Sequence, residues 1–238
     1  MIFKRIFTFI LIGVMGFLIS TILCFLPVGV QAVTLDEIHL SWQNDPRTTM
    51  TIMWRTDFNQ VSPRVQYGTT TSYGQEAVGN TQNAVLDGYF YHTVEIAGLV
   101  SNTAYHYRVS GQNVFSNDYA FHTAPNGPAD FSFTAFADNG TGPGTRQEAY
   151  TIKEKIATEN ANFHLVPGDL TYADGDYCSG KPCFKEHWEL WFQELGLFAQ
   201  SAPILPTFGN HENKTDVKFS NGETFYTRSL ALPQASGS

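Results

Sequence analysis

Charge is what this sequence has least of for its size. Only 15% of its 238 residues are Asp, Glu, Lys or Arg, against about 25% in an average soluble protein. Basic residues are the scarcer sign: 14 Lys and Arg stand against 22 Asp and Glu, a formal net charge of −8. A nucleic-acid binder needs a basic stripe to displace phosphate counterions, so that class is excluded. Cysteine is sparse as well, with three in all. Internal repeats and low-complexity tracts are absent. Outside the N-terminus, no run is long and apolar enough to span a bilayer. What is present is aromatic: Phe, Trp and Tyr make up 14% of the chain. Such a chain can bury a core, which excludes wholesale disorder, and its length suggests one or two domains.

Residues 1–32 read as a secretory signal peptide. Lys4 and Arg5 form a basic start, an apolar run extends from Ile6 to Leu26, and Pro27 breaks it. Val30-Gln31-Ala32 then puts small residues at the −3 and −1 positions of a cleavage site. The location implied is secreted, periplasmic or extracellular, with no membrane contact after cleavage. The 21-residue run is also long enough to span, so a retained signal anchor is the alternative. Cleavage leaves 12 basic residues against 22 acidic ones, a net charge of −10, and removes Cys24. In an oxidising compartment Cys178 and Cys183 then read as a disulfide. Its short loop is worth roughly 2 kcal/mol on the chain-entropy model. The alternative for these cysteines is a metal site with His187.

Residues 33–124 read as a β-sandwich. Met50, Ile52 and Trp54 alternate with Thr49, Thr51 and Arg55, the period of a half-buried strand. Val94 and Ile96 alternate likewise, as do Tyr105, Tyr107 and Val109. Turn signals such as Asn44-Asp45-Pro46, Gly79-Asn80 and Asp87-Gly88 separate the runs. The stretch from Leu99 through Thr103, Tyr105 and Tyr107 to Val109 resembles the tyrosine-corner strand of fibronectin type III domains, with Trp54 as the core tryptophan. A linker follows at 125–129, where prolines and glycine stop strand and helix alike.

Residues 130–238 switch to strand–helix alternation, the mark of an α/β layer with parallel strands. Strands are predicted at Phe131–Ala137, Phe163–Val166 and Ile204–Phe208. Thr145-Arg146-Gln147-Glu148 is a capping box opening a helix whose buried stripe is Ala149, Ile152, Ile156 and Ala157. Phe184, Trp188, Trp191, Phe192 and Leu195 recur at helical spacing and predict a core-facing helix.

Each of the three strands ends in a polar cluster: Asp138-Asn139-Gly140, then Gly168-Asp169-Leu170-Thr171-Tyr172, then Gly209-Asn210-His211-Glu212. In open α/β sheets ligands bind outside the carboxyl ends of the strands, so the three clusters converge on one site. Two Asp carboxylates and an Asn carbonyl are hard oxygen donors, and a Tyr oxygen becomes a good ligand as phenolate beside a strongly acidic cation. Each cluster alone is an ordinary turn. Their order, spacing and strand-end position together carry the argument.

Asp138-x-Gly140, Gly168-Asp169-x-x-Tyr172 and Gly209-Asn210-His211-Glu212 resemble the calcineurin-like metallophosphoesterase superfamily, and more narrowly the purple acid phosphatases. Many superfamily members have a His where Gly140 stands; here Tyr172 supplies the substitute ligand. The resemblance implies a dinuclear centre of Fe(III) with a divalent Fe, Zn or Mn. Asp138 and Tyr172 would bind the ferric ion, Asp169 would bridge, and Asn210 would bind the divalent metal. His211 would contact the phosphate of an ester substrate, and Glu212 would orient the loop. The implied activity is acid phosphatase. The alternatives are a phosphodiesterase or nucleotide pyrophosphatase of the same superfamily, and a non-catalytic extracellular binding module.

The family completes its site with three further histidines in segments downstream of Gly-Asn-His-Glu. Neither segment occurs before Ser238, and none of His39, His92, His106, His122, His164 and His187 stands at a matching position. The expectation is therefore an N-terminal fragment. It would carry the first βαβαβ half of a two-sheet α/β sandwich with an apolar sheet face exposed, and weak metal affinity. Of the two glycosylation sequons, Asn139-Gly140-Thr141 is expected to be unmodified because it lies in the metal loop, and Asn213-Lys214-Thr215 is the more exposed.

Overall fold

Alternating apolar residues and tight turns build the first half of the fold. The computed structural model describes residues 34–83, 88–140, 146–173, 184–215 and 225–233. The signal segment and both Cys178 and Cys183 lie outside them. Strands β1 (Leu35–Ser41), β2 (Thr49–Thr56), β3 (Arg64–Gly68), β4 (Gln75–Val78), β5 (Asn80–Asn83), β6 (Phe90–Ala97), β7 (Ala104–Val109) and β8 (Tyr119–His122) form two antiparallel sheets. Their orders are β1-β2-β6-β5 and β4-β3-β7-β8. Between the sheets lie Ile52, Trp54, Val65, Ile96 and Tyr107, each fully buried. The Trp54 indole donates to the Ser110 carbonyl at 3.1 Å, which satisfies its one polar atom in the core. Tyr105 accepts the Val100 N–H at 3.0 Å on its hydroxyl, the bond that defines a tyrosine corner.

β2 departs from its expected half-burial: every residue from Met50 to Thr56 is buried. The cause is tertiary. The outer face of this sheet does not meet water but packs on the second half of the chain. His39 lies 5.2 Å from the Phe192 ring, and Tyr91 meets Phe225 edge-on at 5.6 Å. Arg55 sits on the same face. It binds Asp36 with two hydrogen bonds of 2.9 Å and Glu37 at 2.9 Å, and reaches Glu189 at 3.3 Å. Burial works against this guanidinium charge, but the carboxylates outweigh it and hold its pKa above the ordinary value. The Leu40 N–H donates to Ala199 O at 2.9 Å and the Tyr107 hydroxyl to Gln200 O at 2.8 Å, so the backbone also joins the halves. Residues 33–238 accordingly form one compact unit.

The second half is a three-stranded parallel sheet with helices after its strands. Its elements are β9 (Phe133–Ala135), α1 (Arg146–Thr158), β10 (Phe163–Pro167), α2 (Phe184–Leu195), β11 (Ile204–Thr207), α3 (Asn210–Thr215) and α4 (Phe225–Ser229). The order is β11-β10-β9, with β10 central. Trp188, Trp191, Phe192 and Leu195 of α2 are all buried, as their spacing predicts. Burying a side chain the size of Phe192 is worth roughly 2 kcal/mol.

Two expectations are corrected. In α1 the predicted Ile156 is buried, but Lys153 is buried beside it, fully inaccessible, while Ile152 is 53% exposed. Lys153 is admitted because its ammonium donates to Glu194 of α2 at 2.5 Å, pairing a charge that could not otherwise be buried. β9 covers three residues rather than the seven from 131 to 137. Its Phe133 is 49% exposed and stacks on Phe163 at 5.4 Å, with Phe131 at 65% exposure beside them. This face of the sheet is the apolar surface expected to be open. The short helix α4 was not legible in the sequence. Its Phe225 and Tyr226 are buried, and the Tyr226 hydroxyl donates to Pro206 O at 2.7 Å.

Candidate metal centre

The parallel register brings the carboxyl ends of β9, β10 and β11 side by side, since Leu165 of β10 pairs with both Ala135 and Leu205. The three polar clusters begin within a few residues of those ends. Tyr172 donates its hydroxyl to Asp138 Oδ1 at 2.8 Å, and Asn139 N–H donates to the Asp169 carbonyl at 3.0 Å. The Asp169 carboxylate accepts His211 N–H at 3.0 Å. The Tyr172 and His211 rings lie 4.0 Å apart. Asp138, Asp169, Tyr172 and His211 are thus gathered at one edge of the sheet. Asn210 stands next to His211 at the start of α3, with an exposed side chain.

The backbone here is held in uncommon conformations. Asp138, Asp169 and Tyr172 have φ of 54°, 49° and 52°, the left-handed region. Few non-glycine residues adopt it, at a cost on the order of 1 kcal/mol each, and such residues cluster at functional sites. Two glycines leave the room this needs. A Cβ on Gly140 would press on the Tyr172 ring at 3.0 Å, so the ring occupies the space that a larger residue at 140 would take. A Cβ on Gly209 would overlap Asp169 N and Oδ1 at 2.1 Å. Only a bare backbone passes there.

Glu212 is 3% exposed and does not face the cluster with a free oxygen. Oε1 accepts Leu170 N–H at 2.8 Å and, at a longer 3.4 Å, Thr171 N–H; Oε2 accepts Gly209 N–H at 2.9 Å. His187, weighed in the sequence as a partner of the cysteines, is buried instead against the loop, with Nδ1 2.8 Å from Thr171 O. Sequence reasoning did not single it out for that role; its place on the apolar stripe of α2 was the available signal. Asn139 is 6% exposed, which fits the expectation of an unglycosylated sequon.

The donors suit a hard cation. Carboxylates and a phenol oxygen are the ligands such ions take, and the Tyr172–Asp138 hydrogen bond already places two of them in contact across one proton. Among the described residues no three His, Cys, Asp or Glu side chains form a metal cluster. The donors that the hydrogen bonds draw together are the carboxylates of Asp138 and Asp169 and the Tyr172 phenol oxygen.

Residues 35–123 match the model of the purple acid phosphatase N-terminal domain, and residues 131–236 match that of the calcineurin-like phosphoesterases. The chain belongs to the purple acid phosphatase family. It is similar to probable purple acid phosphatase 20 of Arabidopsis thaliana, 26% identical over 210 residues, covering 85% of this chain and 45% of that protein. Purple acid phosphatase 21 of the same plant is 27% identical over 185 residues, covering 74% and 37%. An uncharacterized protein of Mycobacterium tuberculosis is 26% identical over 202 residues, covering 77% and 37%. Among solved structures, one titled "Structure of PhoD" aligns with a TM-score of 0.57 at 14% identity, over 76% of this chain and 40% of that one, a likeness of fold. The chain spans less than half the length of these purple acid phosphatase relatives.

Proposed function

We propose that this chain carries part of the metal centre of a secreted acid phosphatase that hydrolyses phosphomonoesters. The observation that carries the reading is the meeting of three strand-end loops, with Tyr172 on Asp138 and Asp169 on the backbone of His211. Asp138 and Tyr172 would hold a ferric ion, Asp169 would bridge to a divalent Fe, Zn or Mn, and Asn210 would complete the divalent side. Bound cations supply the positive charge that draws in the phosphoryl oxygens and activates water. His211, whose ring lies tilted 4.0 Å from that of Tyr172, would bind a phosphoryl oxygen and give a proton to the departing alcohol or phenol oxygen. Residues 1–32 would direct export, and among the described residues no helix is long and apolar enough to cross a membrane.

The chain alone would not hydrolyse an aryl phosphate above background. His39, His92 and His164 are buried, His187 is buried with its ring on the Thr171 carbonyl, and His106 pairs with Asp118 at 2.8 Å. None of them stands ready to complete the ligand set. The test is to load residues 33–238 with Fe(III) and Zn(II) and assay an aryl phosphate, with Asp169→Asn as control. Metal uptake that Asp169→Asn abolishes supports the centre. Full hydrolytic activity of this chain would overturn the claim that its ligand set is partial, and no metal uptake at all would overturn the centre itself.

A further inference from the structure

We propose that Glu212 is the positioning residue of this centre: its buried carboxylate ties the loop of Asp169 and Tyr172 to the loop of Asn210 and His211 and holds both in shape for a divalent cation. The inference rests on the reading of these loops as a metal site. It starts from a cost. An ionised carboxylate with 3% exposure is expensive unless its oxygens are hydrogen-bonded. Here both oxygens are spent on backbone N–H groups rather than on the space where a cation would sit. The bond from Gly209 N–H to Oε2 is local, the reciprocal half of a capping box three residues apart. The bond from Leu170 N–H to Oε1 spans 42 positions and has no role in forming α3. In return, Asp169 reaches from its loop to accept His211 N–H. Two carboxylates are therefore exchanged between the two loops.

The same loop is gripped from its other side by His187 of α2, through the Thr171 carbonyl. Asp169 and Tyr172 flank the gripped residues Leu170 and Thr171, one on each side, and both are at positive φ. Such conformations persist only where the surroundings over-determine them. Removing the Glu212 carboxylate strips buried Leu170 and half-buried Gly209 of their acceptor. The loop is then free to relax, and the donor oxygens of Asp169 and Tyr172 move with it. Groups one bond behind the ligands typically change metal affinity by about 10–100-fold when lost.

The experiment compares wild type, Glu212→Gln and Glu212→Ala, all as the full chain. Mn(II) affinity is measured well below the melting temperature, with far-UV circular dichroism confirming a folded chain and amide hydrogen exchange followed at Leu170 and Gly209. Glu212→Ala is expected to weaken Mn(II) binding at least about tenfold. Glu212→Gln should fall between, because its carbonyl can replace Oε1 while its amide cannot accept from Gly209. If Glu212→Ala does not fold, the Gln variant decides alone. A folded variant with wild-type Mn(II) affinity overturns the proposal, since a purely structural role predicts loss of stability without loss of affinity. If wild type itself binds no Mn(II), the metal reading fails separately. Exchange then decides the clamp: unchanged protection at Leu170 and Gly209 in Glu212→Ala overturns it, and lost protection sustains it.

Discussion

The Tyr172 hydroxyl and Asp138 Oδ1 meet at 2.8 Å, and this bond joins the loop after β10 to the loop after β9. A phenol and a carboxylate sharing one proton are where two ligands of a ferric ion would stand once that proton leaves. Tyr172→Phe removes the oxygen and keeps the ring that packs on Gly140 and His211. Added Fe(III) should give wild type a visible phenolate charge-transfer band and give the variant none. The variant should lose only about 1 kcal/mol of stability, the net worth of one hydrogen bond. An equal band in both proteins would remove Tyr172 from the ligand set.

Lys153 and Glu194 form an ion pair with both side chains essentially inaccessible, at 0% and 3% exposure. Burial lowers the Lys153 pKa, and Glu194 opposes that shift. Lys153→Met leaves the carboxylate buried without its partner and should cost about 3–5 kcal/mol. The double variant Lys153→Met with Glu194→Leu replaces the pair by apolar volume and should recover most of that loss. Urea unfolding of the four proteins in a double-mutant cycle measures it. Single variants as stable as wild type would show that the pair does not join α1 to α2.

These two cases also mark what the sequence could and could not reveal. The strand-end clusters were legible because Asp, Tyr, Asn and His recur beside glycines at the ends of three successive strands, an order that single turns do not explain and a shared ligand does. The tyrosine corner was legible because Tyr105 and Tyr107 alternate with polar residues. Periodicity misplaced the buried stripe of α1, since a hydropathy pattern treats every Lys as exposed and cannot see Glu194, 41 residues away, supplying its counter-charge. It likewise underrated β2. Thr51 and Arg55 look like a solvent face, yet both are buried, and Arg55 reaches Glu189 of α2. Glu212 shows the same limit: its acceptor role toward Leu170 is set by the meeting of two loops, which no local pattern encodes.

The open sheet face makes a prediction about solution behaviour. Phe131 and Phe133 are 65% and 49% exposed. An exposed apolar patch of this kind favours association. Phe133→Ser removes one ring of the three-ring cluster with Phe131 and Phe163. It should reduce dye binding to apolar surface and slow aggregation seen by light scattering, with thermal stability changed by less than about 1 kcal/mol. Unaltered aggregation would mean that association proceeds through another surface.

Acid sets the last expectation. His39, His92 and His164 are each lowered from 6.5 to about 4, by burial in every case, which the Glu37 carbonyl only partly offsets at His39. His92 accepts or shares protons with Thr56 and Thr81 at 2.7 and 2.9 Å, and His164 with Thr134 at 2.7 Å. In the unfolded chain these rings titrate near 6.5. Above that pH neither state holds the extra proton, and the stability from burying neutral rings is fully present. As the pH falls from 6.5 to 4 the unfolded chain gains protons that the folded chain refuses, so folding loses up to roughly 3 kcal/mol per histidine. Below 4 the folded rings protonate too and the loss stops growing. The urea midpoint should therefore drop between pH 7 and pH 4.5, and His92→Gln, which keeps two hydrogen bonds without titrating, should make that drop shallower. A midpoint that holds steady or rises across this range would contradict the assignment.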